Sequence, residues 1–181
     1  IRTLTALGFE GVRSEAVKVP RWERGTAEGE ILAPFPQRLS LAALGGSIGT
    51  PEAGIEAEVV ATENLESLAA LAPEAVKGRI VYLGERMQRP RDGSGYGRTV
   101  AIRWGGAMAA AKLGAVAVLI RSVGTDGNRL PHTGSMGYED AAKVFLASVD
   151  YAVKGAHRFG YRWPVFYDTR TFKVLKAEIA P

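Results

Sequence analysis

The sequence contains no cysteine. Thiol catalysis, zinc ribbons, iron–sulfur ligation and a disulfide scaffold are therefore excluded. Histidine is almost as scarce, with only His132 and His157. A catalytic zinc site needs three protein ligands and a water. His132 has Asp126, Glu139 and Asp140 near it in sequence, but neither H-E-x-x-H nor H-x-D occurs, so no metal ligands are assigned to this chain. No apolar run approaches the roughly 18 residues that a membrane-spanning helix needs. The first residue is Ile1, with no signal peptide ahead of it. The expectation is a processed protein or a piece of a larger one.

Charge of one sign is also in short supply. The formal balance is only +4, and residues 1–140 carry 16 basic and 16 acidic side chains. The excess lies in residues 141–181, with 7 Lys and Arg against 3 Asp and Glu. There Arg158 and Arg162 interleave with Phe159, Tyr161, Trp163, Phe166 and Tyr167. Such interleaving can bind single-stranded nucleic acid. The plainer reading is a strand pair with one aromatic face turned inward, and no nucleic-acid partner is expected.

What is present is an ordinary globular composition: 181 residues, 46% hydrophobic and 23% charged. One domain with extensions is expected, large enough to bury a core unaided. Residues 11–22 alternate as a half-buried strand would. Residues 30–44 look extended, but Pro34 and Pro36 confine them to a sheet edge or a bend. A strand is expected over 55–61, then a short helix capped by Asn64 with Pro73 beyond its end. Residues 79–83 and 115–120 are apolar strands, and 99–113 read as a helix opened by Thr99 and stopped by Gly114. Ile102, Gly106, Ala109, Ala110 and Leu113 give that helix a face of small residues, suited to close packing on a sheet. Strand, helix and strand make one βαβ unit. Residues 143–153 and 161–180 look extended.

Three long glycine-bearing loops stand out, at 45–54, 84–98 and 121–137. Long loops in a compact domain are usually functional or mobile. Gly45-Gly46-Ser47-Ile48-Gly49 matches the G-x-S-x-G pattern of a nucleophile elbow, which requires a helix directly after the serine. A small serine hydrolase using Ser47 is thus one alternative, and a sharply turning connection is another. Arg89, Arg91 and Arg98 flank Gly93-Ser94-Gly95-Tyr96-Gly97, as an anion nest or a solvated loop would have them. An anion- or nucleic-acid-binding module is the third alternative.

Several stretches together resemble a known domain. They are Lys77-Gly78-Arg79-Ile80-Val81, Tyr96-Gly97-Arg98-Thr99-Val100 with Arg103, Gly106-Ala107, residues 110–122, and Pro131-His132-Thr133-Gly134. With residues 17–25, 45–51 and 176–181, they make the chain similar to the protease-associated (PA) domain inserted in two-zinc exopeptidases of the plasma glutamate carboxypeptidase kind. The sequence departs from that family at Arg98, where an acidic residue is usual, and over 141–170. The resemblance implies an α/β fold: a mixed β-sheet or open barrel flanked by two short helices. It implies a single PA domain over 1–181, with its core at about 50–150. The catalytic peptidase domain, with its zinc ions, would then lie outside this chain, which would hold no catalytic residues and no cofactor of its own. Export to the periplasm or the extracellular space is implied as well. The role implied is a lid, a substrate-restricting wall or an interaction surface, with a peptide substrate and the catalytic domain as partners. Ser47 and Thr50, Tyr96 and Arg98, and His132 are the residues that the three loops would turn toward the substrate.

Overall fold

The computed structural model describes residues 1–19, 21–137, 145–150 and 170–174. In chain order it begins with α1 (Arg2–Ala6), β1 (Glu30–Ile31), β2 (Gln37–Arg38), β3 (Ser40–Ala43) and β4 (Ile55–Thr62). There follow α2 (Leu65–Ala69), α3 (Pro73–Val76), β5 (Ile80–Leu83), α4 (Gly95–Thr99), α5 (Ala101–Lys112), β6 (Ala117–Arg121), β7 (Phe145–Asp150) and β8 (Arg170–Val174). The strands form one sheet in the order β2-β1-β8-β4-β5-β6-β7-β3. β4 to β7 are mutually parallel, with Val59 opposite Ile80, Ile80 opposite Ala117, and Ala117 opposite Phe145. The other contacts, β3 on β7, β8 between β4 and β1, and β1 on β2, are antiparallel. Among the described residues the sheet is mixed and open, with β2 and β3 at its edges.

Helical crossovers join β4 to β5 and β5 to β6, and each carries its helix in two pieces. In the first, Asn64 Oδ1 accepts from the Ser67 amide at 2.9 Å, and the Asn64 amide donates back to Ser67 Oγ at 3.0 Å. This reciprocal cap satisfies two amides that the first turn of α2 would leave open. Pro73 begins α3, where its missing N–H costs nothing. In the second crossover the helical path starts earlier than sequence spacing predicts. Thr99 ends α4 instead of capping α5, and its buried hydroxyl donates to the Gly95 carbonyl at 3.1 Å. Gly114 closes α5 at φ +82°, with its own amide on Ala111 O and the Ala115 amide on Ala110 O. Those two bonds are the paired closure that a left-handed residue after a helix allows.

Both faces of β5 and β6 are covered. Val81, Leu83, Val118 and Ile120 join Ile102, Ala107 and Ala110 of α5 in the larger cluster, with Leu44, Leu68 and Met136. Ile80, Ala117 and Leu119 face the other way, toward Val59, Ala43, Trp22, Leu39 and Leu41. Double coverage is why these strands read as continuous apolar runs.

The N-terminal part differs from its sequence pattern. No strand forms over 11–19 or at 21–22, and Val17 and Val19 stand in solvent. Alternation fixes a strand only where a neighbouring strand and a buried face exist to receive it. Residues 30–44 are extended, as expected, but break into β1, β2 and β3 around Pro34 and Pro36, whose nitrogens cannot donate to a ladder. β7 and β8 fall inside the expected extended stretches 143–153 and 161–180. The aromatic and basic run at 158–167, and His157, lie outside the described residues.

Helix α5 lies close against the sheet at Gly106, where an added Cβ would sit 2.7 Å from Leu83 Cδ1 and within contact of Ile120 and Val118. Overpacking of this kind costs about 1–3 kcal/mol. Alanine's helix advantage over glycine recovers about 1 kcal/mol of it. Gly106→Ala should therefore destabilise the protein, whereas in a Leu83→Val background the same change should be neutral or stabilising. Urea unfolding midpoints in the two backgrounds test this, and an identical effect in both would refute the contact.

Candidate functional site

The first and third glycine loops meet directly. After β3, Leu44 is fully buried and Gly45 lies alongside residues 134–136. The Gly45 amide donates to Gly134 O at 2.7 Å, and the Met136 amide donates to Gly45 O at 3.0 Å. A Cβ on Gly45 would lie 3.3 Å from both Gly134 O and Ser135 Cα, a tight fit that a side chain would enter only if the neighbouring backbone gave way slightly. Buried Leu44 and Met136 anchor the two sides of this bridge in the core.

The second loop joins through a side chain. Tyr96 lies in α4, and its hydroxyl accepts from Arg103 Nη1 at 3.1 Å. The Arg103 guanidinium carbon is 5.9 Å from the tyrosine ring centre. Arg103 is only 7% exposed, in the first turn of α5. It lies hard against the third loop, where a Cβ on Gly134 would come within 2.5 Å of Nη1. Among the described residues its Nε has no hydrogen-bond partner, and no carboxylate pairs with it.

His132 is held by the turn that precedes it. Its amide donates to Ser122 Oγ at 3.1 Å, and Nδ1 lies 2.6 Å from Val123 O. A carbonyl only accepts, so Nδ1 carries the proton and Nε2 keeps its lone pair in the neutral ring. Gly124 supplies the room, since any Cβ there would collide with the imidazole.

The remaining candidates are placed differently. Ser47 is 1% exposed, its carbonyl accepts from Trp22 Nε1 at 2.9 Å, and among the described residues its hydroxyl has no partner. No helix follows it; residues 47–50 are irregular and lead through a turn into β4. The strand–turn–helix context of a nucleophile elbow is therefore missing. Thr50 is half-buried in the same loop. Arg98 is exposed and turns to Glu85, with 3.6 Å between Nε and the carboxylate. Both border an open groove of about 510 Å³ that Glu63, Arg86 and Arg89 also line. At the rim of the arginine loop, Asp92 accepts from the amide and the hydroxyl of Ser94, at 3.1 and 2.8 Å. The backbone bond first and the hydroxyl second hold its carboxyl below the usual aspartate range.

The structure thus brings together the loops of Ser47 and His132, and joins Tyr96 to them through Arg103. Arg98 belongs to the neighbouring groove. Arg103 is the participant that spacing did not single out. Its signal was a charged residue one turn before Ala107 on an otherwise apolar helix face. Among the described residues no three His, Asp or Glu side chains stand close enough together to hold a metal ion. No helix among them is long and apolar enough to cross a membrane.

No family model matches the chain. Carboxypeptidase Q of Xenopus laevis is 46% identical over 142 residues, which is 78% of this chain and 29% of that protein. The crystal structure of a peptidase M28 precursor from Shewanella amazonensis superposes with a TM-score of 0.80 at 36% identity, covering 99% of this chain and 40% of its own. The zinc aminopeptidase BSAP of Bacillus subtilis shares the fold, with a TM-score of 0.53 at 16% identity over 87% of this chain and 31% of its own. An open mixed sheet with two split-helix crossovers, matched to a segment of longer peptidases, is the fold of a PA domain. The chain is similar to carboxypeptidase Q over about three quarters of its own length and spans under a third of the length of the curated relatives it matches.

Two outcomes follow from the loop geometry. Gly124→Ala should dislodge the imidazole and break its bond to Val123, lowering stability by about 1–2 kcal/mol. A urea midpoint unchanged from wild type would contradict the tight seat of His132. Asp92 should titrate below the ordinary aspartate value of about 3.9. A group whose folded pKa is depressed favours the folded loop above its unfolded pKa, and that support is lost as pH falls through the folded value. A carboxyl-carbon NMR titration should show the depression in wild type and its reduction in Ser94→Gly.

Proposed function

We propose that this chain is the non-catalytic PA domain of a zinc-dependent exopeptidase, forming one wall or lid over the cleft of a catalytic domain in the same polypeptide. Residues 1–181 act as one unit about a core near 50–150, to which β1, β2, β3 and β8 add strands. Zinc and the hydrolytic residues belong to the catalytic domain, and the substrate is a peptide. The intact protein is exported to the periplasm or the extracellular space.

The observation that carries this proposal is the joining of the three loops by the Gly45–Gly134 bridge and the Tyr96–Arg103 contact. Loops fixed to each other by backbone bonds suit a wall that limits which substrates fit, because little ordering entropy is lost on contact. Within that wall, half-exposed Tyr96 and the free Nε2 of His132 offer contacts by side chain. The Ser47 loop, its hydroxyl buried, contributes shape through its backbone, with Thr50 beside it. Arg98 borders the groove and acts from its edge.

In the intact peptidase, Tyr96→Ala and His132→Ala should raise KM about tenfold while kcat changes less than about twofold, the pattern of lost uniform binding. Unchanged KM in both variants would remove the wall. The chain alone, given zinc, should turn over neither dipeptides nor aminoacyl anilides nor simple esters. Ester hydrolysis abolished by Ser47→Ala would replace this function with that of a serine hydrolase.

A further inference from the structure

We propose that the open groove beside the arginine loop binds a small zwitterion, an amino acid or dipeptide held by Glu85 at its ammonium and by the surrounding arginines at its carboxylate. The site stands on this chain's own residues and does not require that the chain wall a peptidase cleft.

The groove, of about 510 Å³, lies beyond the carboxyl ends of two neighbouring parallel strands. Thr62 ends β4 and pairs with Leu83, which ends β5, and the Gly84 amide donates to Thr62 O at 2.8 Å. Glu63 and Glu85 therefore leave the sheet at the same end. Arg86 follows Glu85, Arg89 comes from the loop, and Arg98 comes from α4. Crevices outside the carboxyl ends of strands are where open α/β sheets hold small ligands.

The five charges line one groove yet do not settle one another. Among the described residues the one ion pair there joins Glu85 to Arg98 Nε at 3.6 Å, too long for a charge-assisted hydrogen bond. The side chains of Glu63, Arg86 and Arg89 have no partner among those residues. Exposed charges are served by water. Glu85 is the exception, because its side chain is only 13% exposed. A carboxylate withdrawn from water costs free energy unless donors replace the lost hydration. No hydrogen-bond donor among the described residues reaches it, and the access it keeps is to the groove it lines. The Arg98 side chain is 83% exposed and turns only Nε toward Glu85. Its Nη1 and Nη2 form an edge of the guanidinium that can hold a carboxylate through two parallel bonds.

The mixture of signs selects the ligand. An anion alone would face the like charges of Glu63 and Glu85, and a cation alone would face three guanidinia. An ammonium brings three N–H donors to the Glu85 oxygens while a carboxylate on the same molecule meets a guanidinium. In an amino acid the two groups share one carbon, so its binding exchanges one loose ion pair for two hydrogen-bonded ones. The volume leaves room for a second residue, and Arg86 or Arg89 can take the more distant carboxylate of a dipeptide.

The test is an amide NMR titration of the full 181-residue chain, following the backbone signals of residues 84–89 and 94–99. L-alanine and L-alanyl-L-alanine carry both charges, N-acetyl-L-alanine only the carboxylate and L-alaninamide only the ammonium. Saturable shifts are expected with at least one zwitterion, at concentrations about tenfold lower than either blocked compound needs. The tighter zwitterion fixes the charge separation that the groove accepts. Glu85→Gln should weaken its binding about tenfold. Arg98→Gln, at an exposed position, should weaken it about threefold. If Glu85→Gln does not fold, Arg98→Gln and the wild-type series decide the matter. No saturable shift with either zwitterion would overturn the proposal. So would a zwitterion bound no more tightly than N-acetyl-L-alanine, which would make the groove a plain anion site, or than L-alaninamide, which would make it a cation site.

Discussion

The seating of α5 on the sheet at Gly106 is the constraint from which the rest of the candidate site follows. With no side chain at that position, the helix settles onto Leu83, Val118 and Ile120. That depth carries Arg103, three residues earlier on the helix, below the surface. A guanidinium held there meets both Tyr96 and Gly134 at its Nη1. Gly134 in turn is bonded to Gly45, so the position of the first loop is set at third hand by how closely a helix can approach a strand. A larger residue at 106 would disturb packing first and loop geometry as a consequence.

Glycine in these loops serves clearance more than flexibility. Gly45 admits a neighbouring backbone, Gly124 admits an imidazole, and Gly134 admits a guanidinium. Gly95 has the carbonyl of Gln88 where a Cβ would go. The loops are thus fitted to one another, which a mobile, solvated connection would not need.

Local features were the legible ones. The β5–α5–β6 unit, the small-residue face of α5 and the closure at Gly114 depend on neighbours a few residues away, and spacing finds them. The cap at Asn64 is equally local and forms as expected. The strand pattern of 11–22 was misleading because alternation says nothing about whether a partner strand exists. Thr99 was misleading because it is itself the last residue of α4, and a residue already inside a helical turn has no open first turn to cap. The Gly45–Gly134 bridge joins loops far apart in the chain, and no periodicity reports such a contact. Arg103 entered the family pattern, but on helix spacing alone it was only a charge where an apolar residue was called for.

The position of β8 has a consequence for biosynthesis. Lys173 pairs with both Glu30 and Glu56, so the last described strand lies between two strands made long before it. A ribosome releases the chain from its N-terminus. The β4–β5–β6 layer and its helices can assemble while β1 and β2 wait, and meanwhile the free edge of β4 exposes unpaired backbone. Pairing of such high contact order is slow, and an open edge is a template for the wrong partner. The nascent protein is therefore most vulnerable to aggregation in the interval between emergence of β6 and emergence of β8.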